Sequence, residues 1–300
     1  MKYCIIYIFS ILMITNTMNA QYKPLYKSIP NQIVVPNEER EDPFEGIIIV
    51  SKVTEPAYQY FRVKEDNIKR PCVIIYPGGA YFILASGHEG VEVAKFFNSI
   101  GVNAMVVKYR IPNDNAQVDK SIAPLQDAQQ AMLLARSNAA TWGIDANKIG
   151  ILGFSAGGHL AASLSSHYAD VKIDNPLNIS LRPNFQILIY PVITMKDFGH
   201  IGSKENLIGK NPTDAQVQYY SNELNVNDQT PPAFIVHAKN DDAVPVQNAY
   251  EYDKALKANK VASTLFLFEK GGHGFGMKNP TSTIQWTTPL TQWLREIKIL

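Results

Sequence analysis

Cysteine is nearly absent from this chain. Two thiols, Cys4 and Cys72, occur in 300 residues, which excludes a disulfide framework. An excess of one charge is also missing: 28 Lys and Arg stand against 27 Asp and Glu. Without residues 1–20 the balance is 27 to 27, because Lys2 is the one charged residue among them. A neutral chain has no electrostatic footprint for a nucleic-acid backbone and does not steer a strongly charged substrate from afar. Repeats and low-complexity tracts are lacking as well. Beyond the N-terminus no apolar run is long enough to cross a bilayer, so no stable membrane span is expected. What remains is 46% hydrophobic and only 18% charged, enough for one large buried core and too apolar for disorder.

The N-terminus has a different character. Lys2 is followed by an almost wholly apolar run, Cys4 to Ile14, then by polar residues Thr15 to Asn19 and by Ala20. This is the charged, apolar and small-residue order of a secretory signal peptide, and the run is too short to span about 30 Å as a helix. Cleavage near Ala20 and export to the periplasm or beyond are expected. Cys72 then stands alone in the strand-like run Pro71 to Tyr76, where a thiol reads as a small buried hydrophobe. Residues 21–43 read as an extended lead-in, and residues 44–300 as a single domain.

Short β-rich runs alternate with helical patterns from Glu45 onward. The runs are Gly46–Val50, Tyr58–Val63, Cys72–Tyr76, Asn103–Tyr109, Lys148–Gly153, Phe185–Tyr190, Ala233–Ala238 and Thr264–Phe268. Several are continuously apolar, as strands covered on both faces must be, so the expected sheet is eight-stranded and mostly parallel. Helical patterns span Val91–Ser99, Leu125–Trp142, Ala156–Tyr168, Gln247–Asn259 and Thr288–Ile297. The alternation predicts an α/β doubly wound fold, with helices flanking the sheet. The segment 194–228 is polar and weakly periodic, and is expected to be a small lid or substrate-shaping insertion.

One string carries chemistry. Gly153-Phe-Ser155-Ala-Gly157 follows the apolar strand Ile149–Leu152 and opens a helical pattern. A G-x-S-x-G turn between strand and helix exposes the serine oxygen, and its glycines let neighbouring backbone approach. A serine hydroxyl is a weak nucleophile near neutrality, so it needs a base and the base needs an orienting acid. Downstream, an apolar strand ends at Asp241-Asp242, and a later one leads into Gly271-Gly-His273-Gly-Phe-Gly276. His273 is the candidate base, and either aspartate suits the acid. The strand Cys72–Tyr76 is followed by Pro77-Gly-Gly-Ala-Tyr81, whose small residues leave backbone N–H groups unobstructed. Gly79 and Ala80, with Ala156, are the candidate oxyanion donors. Tyr81 and His88 are candidate pocket residues. His159 and His237 read as packing residues, whereas His167 and His200 have no supporting context. Nothing calls for a metal or an organic cofactor.

Together, Pro77-Gly-Gly-Ala-Tyr, Gly153-Phe-Ser-Ala-Gly-Gly-His159, His237-Ala-Lys-Asn-Asp241-Asp-Ala-Val-Pro245 and Gly271-Gly-His273-Gly-Phe-Gly resemble the motifs of bacterial α/β-hydrolase esterases. These include acetyl-xylan and other carbohydrate esterases, with hormone-sensitive-lipase-like and BD-FAE-like relatives. The resemblance runs from about Pro71 to Trp293. It implies an α/β-hydrolase fold with Ser155 as nucleophile, His273 as base and Asp241 as acid, Asp242 being the alternative. Lipase-like members carry His-Gly-Gly before the oxyanion turn, and here Tyr76-Pro77-Gly78-Gly79 stands instead, which favours the carbohydrate-esterase relatives. Some relatives bear xylanase names, but nothing in this sequence reads as a paired-carboxylate glycosidase site. The implied substrate is a short acyl ester, acetyl foremost, on a plant polysaccharide such as xylan. Two other readings compete. A prolyl-peptidase-type enzyme shares the motifs but ordinarily needs a large propeller, for which 300 residues leave no room. A non-catalytic binding protein on the same scaffold would be marked by a missing triad residue, and none is missing.

Overall fold

The computed structural model describes residues 22–44 and 47–300. The expected signal segment 1–20 lies outside the described residues, as does Gly46 at the head of the first predicted run. Eleven strands occur among the described residues: β1 (Lys23–Pro24), β2 (Arg40–Phe44), β3 (Ile47–Ser51), β4 (Ala57–Phe61), β5 (Arg70–Tyr76), β6 (Ile83–Leu84), β7 (Asn103–Lys108), β8 (Ile144–Phe154), β9 (Gln186–Ile189), β10 (Ala233–Ala238) and β11 (Ser263–Phe268). The helices are α1 (Glu92–Ser99), α2 (Ala123–Ser137), α3 (Ala139–Trp142), α4 (Ser155–His167), α5 (Ile201–Ile208), α6 (Asp214–Tyr220), α7 (Gln247–Ala258) and α8 (Thr287–Glu296).

Eight strands form the central sheet in the order β1-β4-β7-β5-β8-β9-β10-β11. The pairs from β7 to β11 are parallel, while β1 and β4 join antiparallel at one edge. The continuous apolar runs have a simple cause. Along β5, Cys72, Ile74 and Tyr76 face the layer of α2, α4 and α7, while Val73 and Ile75 face the layer of α1 and α8. Every position is buried on one side or the other, so no polar alternation survives. Cys72 is a free, buried thiol whose pKa burial pushes far up, as its reading as a small hydrophobe requires.

Two local expectations differ from what is observed. The described residues of the run expected at Gly46–Val50 fall in β3, which belongs to a separate three-stranded sheet, β2-β3-β6. The eighth strand of the main sheet is instead β1, whose two residues pair with Ala57 and Tyr58 of β4. A strand of two residues has no periodicity to read. Secondly, the single helix expected over Leu125–Trp142 breaks at Asn138, whose Nδ2 donates to Leu134 O at 2.9 Å. An asparagine side chain that bonds its own backbone competes with the helix ladder. The segment 194–228, expected as a small insertion, contains α5 and α6, and the latter begins with a Thr213–Gln216 capping box.

Candidate active site

The reacting ends of β5, β8, β10 and β11 lie along one rim of the sheet, where doubly wound sheets place their sites. Phe154 is extended, and Ser155 turns abruptly to φ 49° as the first residue of α4. That turn leaves no room beside it. A Cβ on Gly153 would lie 2.0 Å from Gly157 O, and one on Gly157 would lie 2.1 Å from Tyr76 O. Both glycines are therefore required by close approach, and the strained serine is what they permit.

Ser155 Oγ lies 2.9 Å from His273 Nε2, and His273 Nδ1 lies 2.7 Å from Asp241 Oδ2. The carboxylate accepts a hydrogen bond from the Nδ1–H, so Nε2 is left to accept from the serine hydroxyl. Asp241 is buried at the end of β10, whereas Asp242 is exposed, which separates the two aspartates by placement. Burial alone would raise the pKa of Asp241. Hydrogen bonds from His237 and His273, helped by the Val244 N–H at 2.8 Å, outweigh it and hold the carboxyl well below the usual carboxylate range. His237 shares one N–H between two acceptors: its Nε2 is 2.8 Å from Val244 O and 3.3 Å from Asp241 Oδ2. Asn240 secures the opposite loop, accepting from the N–H groups of Gly271 and Gly272 at 2.9 and 3.1 Å.

The loop after β5 folds over Ser155. A Cβ on Gly78 would stand 3.0 Å from the Cβ of Ser155. The Gly78 N–H is already engaged, donating to Glu89 Oε2 at 2.7 Å. Gly79 and Ala80 follow, and Phe82 N–H donates to Gly79 O at 2.9 Å. With Ala80 at φ 56° and Tyr81 at φ 58°, this is a type I′ turn built without glycine at either central position. Each such residue costs on the order of 1–3 kcal/mol and needs surrounding structure to hold it. Two contacts do so here. Asn206 Nδ2 of α5 donates to Ala80 O at 2.8 Å, and the Tyr81 hydroxyl donates to His159 Nδ1 at 2.8 Å. His159 in turn donates from Nε2 to Tyr220 O at 2.8 Å. Tyr81, expected at the pocket wall, thus turns its ring into the core beside Tyr109 and His159. The strained turn decides this by sending successive side chains to opposite sides. His88, within the Gly87–Val91 turn, faces the His273 loop: a Cβ on Gly276 would stand 2.6 Å from its Cδ2.

Two residues not singled out in the sequence join these loops. Glu89 is buried, and its second oxygen, Oε1, accepts from the Tyr190 hydroxyl at 2.7 Å. That hydroxyl also accepts from Gly276 N–H at 2.9 Å, and the Tyr190 ring centroid is 4.8 Å from that of His273. One carboxylate thereby ties the turn after β5 to the histidine loop. Neither residue carries a motif, and only the positive φ of Tyr190, 36°, marks the position as special. His200 was also passed over. It caps α5, accepting from Ser203 N at 3.2 Å, and burial pushes its pKa down. Among the described residues, no group of three or more His, Cys, Asp or Glu side chains is placed to hold a metal ion. No helix among them is long and apolar enough to cross a membrane.

The fold and this constellation define the class: an α/β hydrolase with a serine, a histidine and a buried aspartate in one hydrogen-bonded line. Comparison with known proteins then places it more closely. The BD-FAE family model matches residues 60–256, and the chain belongs to the BD-FAE family of α/β-hydrolase esterases. It is 40% identical over 224 residues to an endo-1,4-beta-xylanase B of Butyrivibrio fibrisolvens, and 36% identical over 216 residues to an acetylxylan esterase of Xylanibacter ruminicola. Those matches cover 74% and 70% of this chain but only 35% and 42% of the relatives' own length. Among solved structures, an acetyl ester-xyloside bifunctional hydrolase from Caldicellulosiruptor lactoaceticus superposes with a TM-score of 0.80 at 35% identity, over 94% of this chain and 97% of its own.

Proposed function

We propose that this chain hydrolyses short acyl esters, acetyl foremost, on a plant polysaccharide such as xylan, with Ser155, His273 and Asp241 as its triad. The observation that carries the reading is the unbroken line from Ser155 Oγ through His273 to Asp241, at 2.9 and 2.7 Å. Its similarity to an acetylxylan esterase and to an acetyl ester-xyloside hydrolase supports the choice of substrate. His273 Nε2 takes the Ser155 proton as Oγ attacks the ester carbonyl. Asp241 holds the ring tautomer and stabilises the imidazolium. The N–H groups of Gly79, Ala80 and Ala156 receive the oxyanion, where loss of one such donor costs about 10²–10³ in rate. The proton then passes to the leaving alcohol, an acyl-Ser155 remains, and water repeats the sequence to release the acid. No cofactor enters these steps. The N-terminal pattern adds export after cleavage near Ala20, which suits a polymer lying outside the cytoplasm.

The test is hydrolysis of p-nitrophenyl acetate against longer acyl chains, followed by acetate release from acetylated xylan. Acetyl should be preferred. Ser155→Ala should lower kcat by about 10⁴–10⁶ and abolish fluorophosphonate labelling. Preference for long chains rejects the polysaccharide ester, and labelling that survives Ser155→Ala rejects the nucleophile.

A further inference from the structure

The turn that buries Tyr81 displays Phe82. Its side chain is 68% exposed, immediately after the two left-handed residues. Lone exposed aromatics need no explanation, but this one borders a cleft of about 320 Å³. Asn113 and Asn115 line the cleft from the loop after β7, and Glu205 and Asn206 line it from α5. Asn206 also holds Ala80 O at 2.8 Å, so the cleft adjoins the candidate oxyanion turn directly. His200 caps the other end of the same helix.

The lining selects the ligand. An acyl chain needs a continuous apolar slot, and here Val53, Ile111 and Pro112 are interrupted by amides and carboxylates. An anion needs free positive charge, yet both lysines at the cleft are paired: Lys52 with Glu38 at 2.6 Å and Lys120 with Asp114 at 2.7 Å. A pyranose has the matching character, with a C–H face for an aromatic ring and an equatorial rim of hydroxyls for amide and carboxylate partners. We propose that this cleft is a sugar subsite for the alcohol half of the ester: Phe82 packs against the face of one pyranose ring, and Asn113, Asn115, Glu205 and Asn206 meet its hydroxyls. The proposal rests on the esterase reading above and names what that site holds beyond the acyl group.

The experiment pairs binding with selectivity in the full chain. Xylotetraose is titrated calorimetrically into the Ser155→Ala protein and into the same protein carrying Phe82→Ala or Phe82→Tyr. Acetylated xylotetraose and p-nitrophenyl acetate are then compared as substrates on the Ser155 background. Phe82→Ala should weaken xylotetraose binding about tenfold, and lower the kcat/KM ratio of sugar ester to p-nitrophenyl acetate about tenfold, mainly through KM. Phe82→Tyr should retain both. Asn115→Ala, a second exposed change, should move the ratio in the same direction as Phe82→Ala. An unchanged ratio and unchanged binding in both alanine variants overturn the subsite. So does an enzyme that cleaves p-nitrophenyl acetate through Ser155 yet does not bind xylotetraose, which leaves the esterase reading standing. Absence of Ser155-dependent hydrolysis fails the esterase reading instead, and Phe82-dependent xylotetraose binding would then still support the cleft.

Discussion

At the scale of single residues, the sharpest question is which of two adjacent aspartates serves His273. Their chemistry is identical and their positions differ by one. Direction decides: Asp241 is buried with its oxygens on His273, Ala243 and Val244, and Asp242 faces solvent. Asp241→Asn should lower kcat by about 10⁴, since an amide offers the ring the wrong partner, while Asp242→Asn should stay within about twofold. Steady-state kinetics on p-nitrophenyl acetate check this, and a reversed pair of effects would move the acid one residue along. Glu89 and Tyr190 show the opposite case. Their link from Gly78 to Gly276 joins three segments far apart in the chain, so no local pattern announces it.

Elements hold one another through a few buried polar contacts, and these set a pH dependence. His159 clamps α4 to the turn at Tyr81 and to the end of α6 at Tyr220. Burial pushes its pKa down to about 4, although the bond to the Tyr220 carbonyl favours the charged form. The unfolded imidazole takes up its proton below about pH 6.5, and the folded one does so only near pH 4. The stability that this neutral ring contributes is thus complete above about pH 6.5 and is lost as pH falls toward 4. His159→Gln should flatten that part of the stability profile, as measured by urea unfolding at steps between pH 7 and about 4. A variant with the same slope as the parent would show that the ring already carries a proton in the fold. The weak periodicity of segment 194–228 has a related cause: its helices are short and are held by contacts to His159 of α4 and to Ala80.

For the whole molecule, one buried ion pair ties the lead-in to the core. Arg110 and Asp127 are fully buried, with Arg110 Nη2 2.8 Å from Asp127 Oδ1, and Arg110 Nη1 donates to Pro30 O at 2.7 Å. Such a pair adds little net stability, but removing one partner leaves an uncompensated charge. Asp127→Ala should cost about 3–5 kcal/mol in urea unfolding, and a loss below about 1 kcal/mol would contradict this. Neither residue belongs to a motif. The main sheet likewise closes with β1, two residues of the lead-in that owe their strand to β4 rather than to their own sequence.

What the sequence determined by itself was local and repetitive: buried strands, as apolar runs; the strand-to-helix turn at Ser155, as glycines that a tight approach demands; and His273, as the imidazole set among glycines. Tertiary structure alone decided what depends on direction and distance. It placed Asp241 rather than Asp242 against His273, sent Tyr81 inward and Phe82 outward, put β3 outside the main sheet, and joined two loops through Glu89. The reason is physical. Propensity and periodicity act within a few residues, whereas a hydrogen bond is indifferent to how much chain separates its donor from its acceptor.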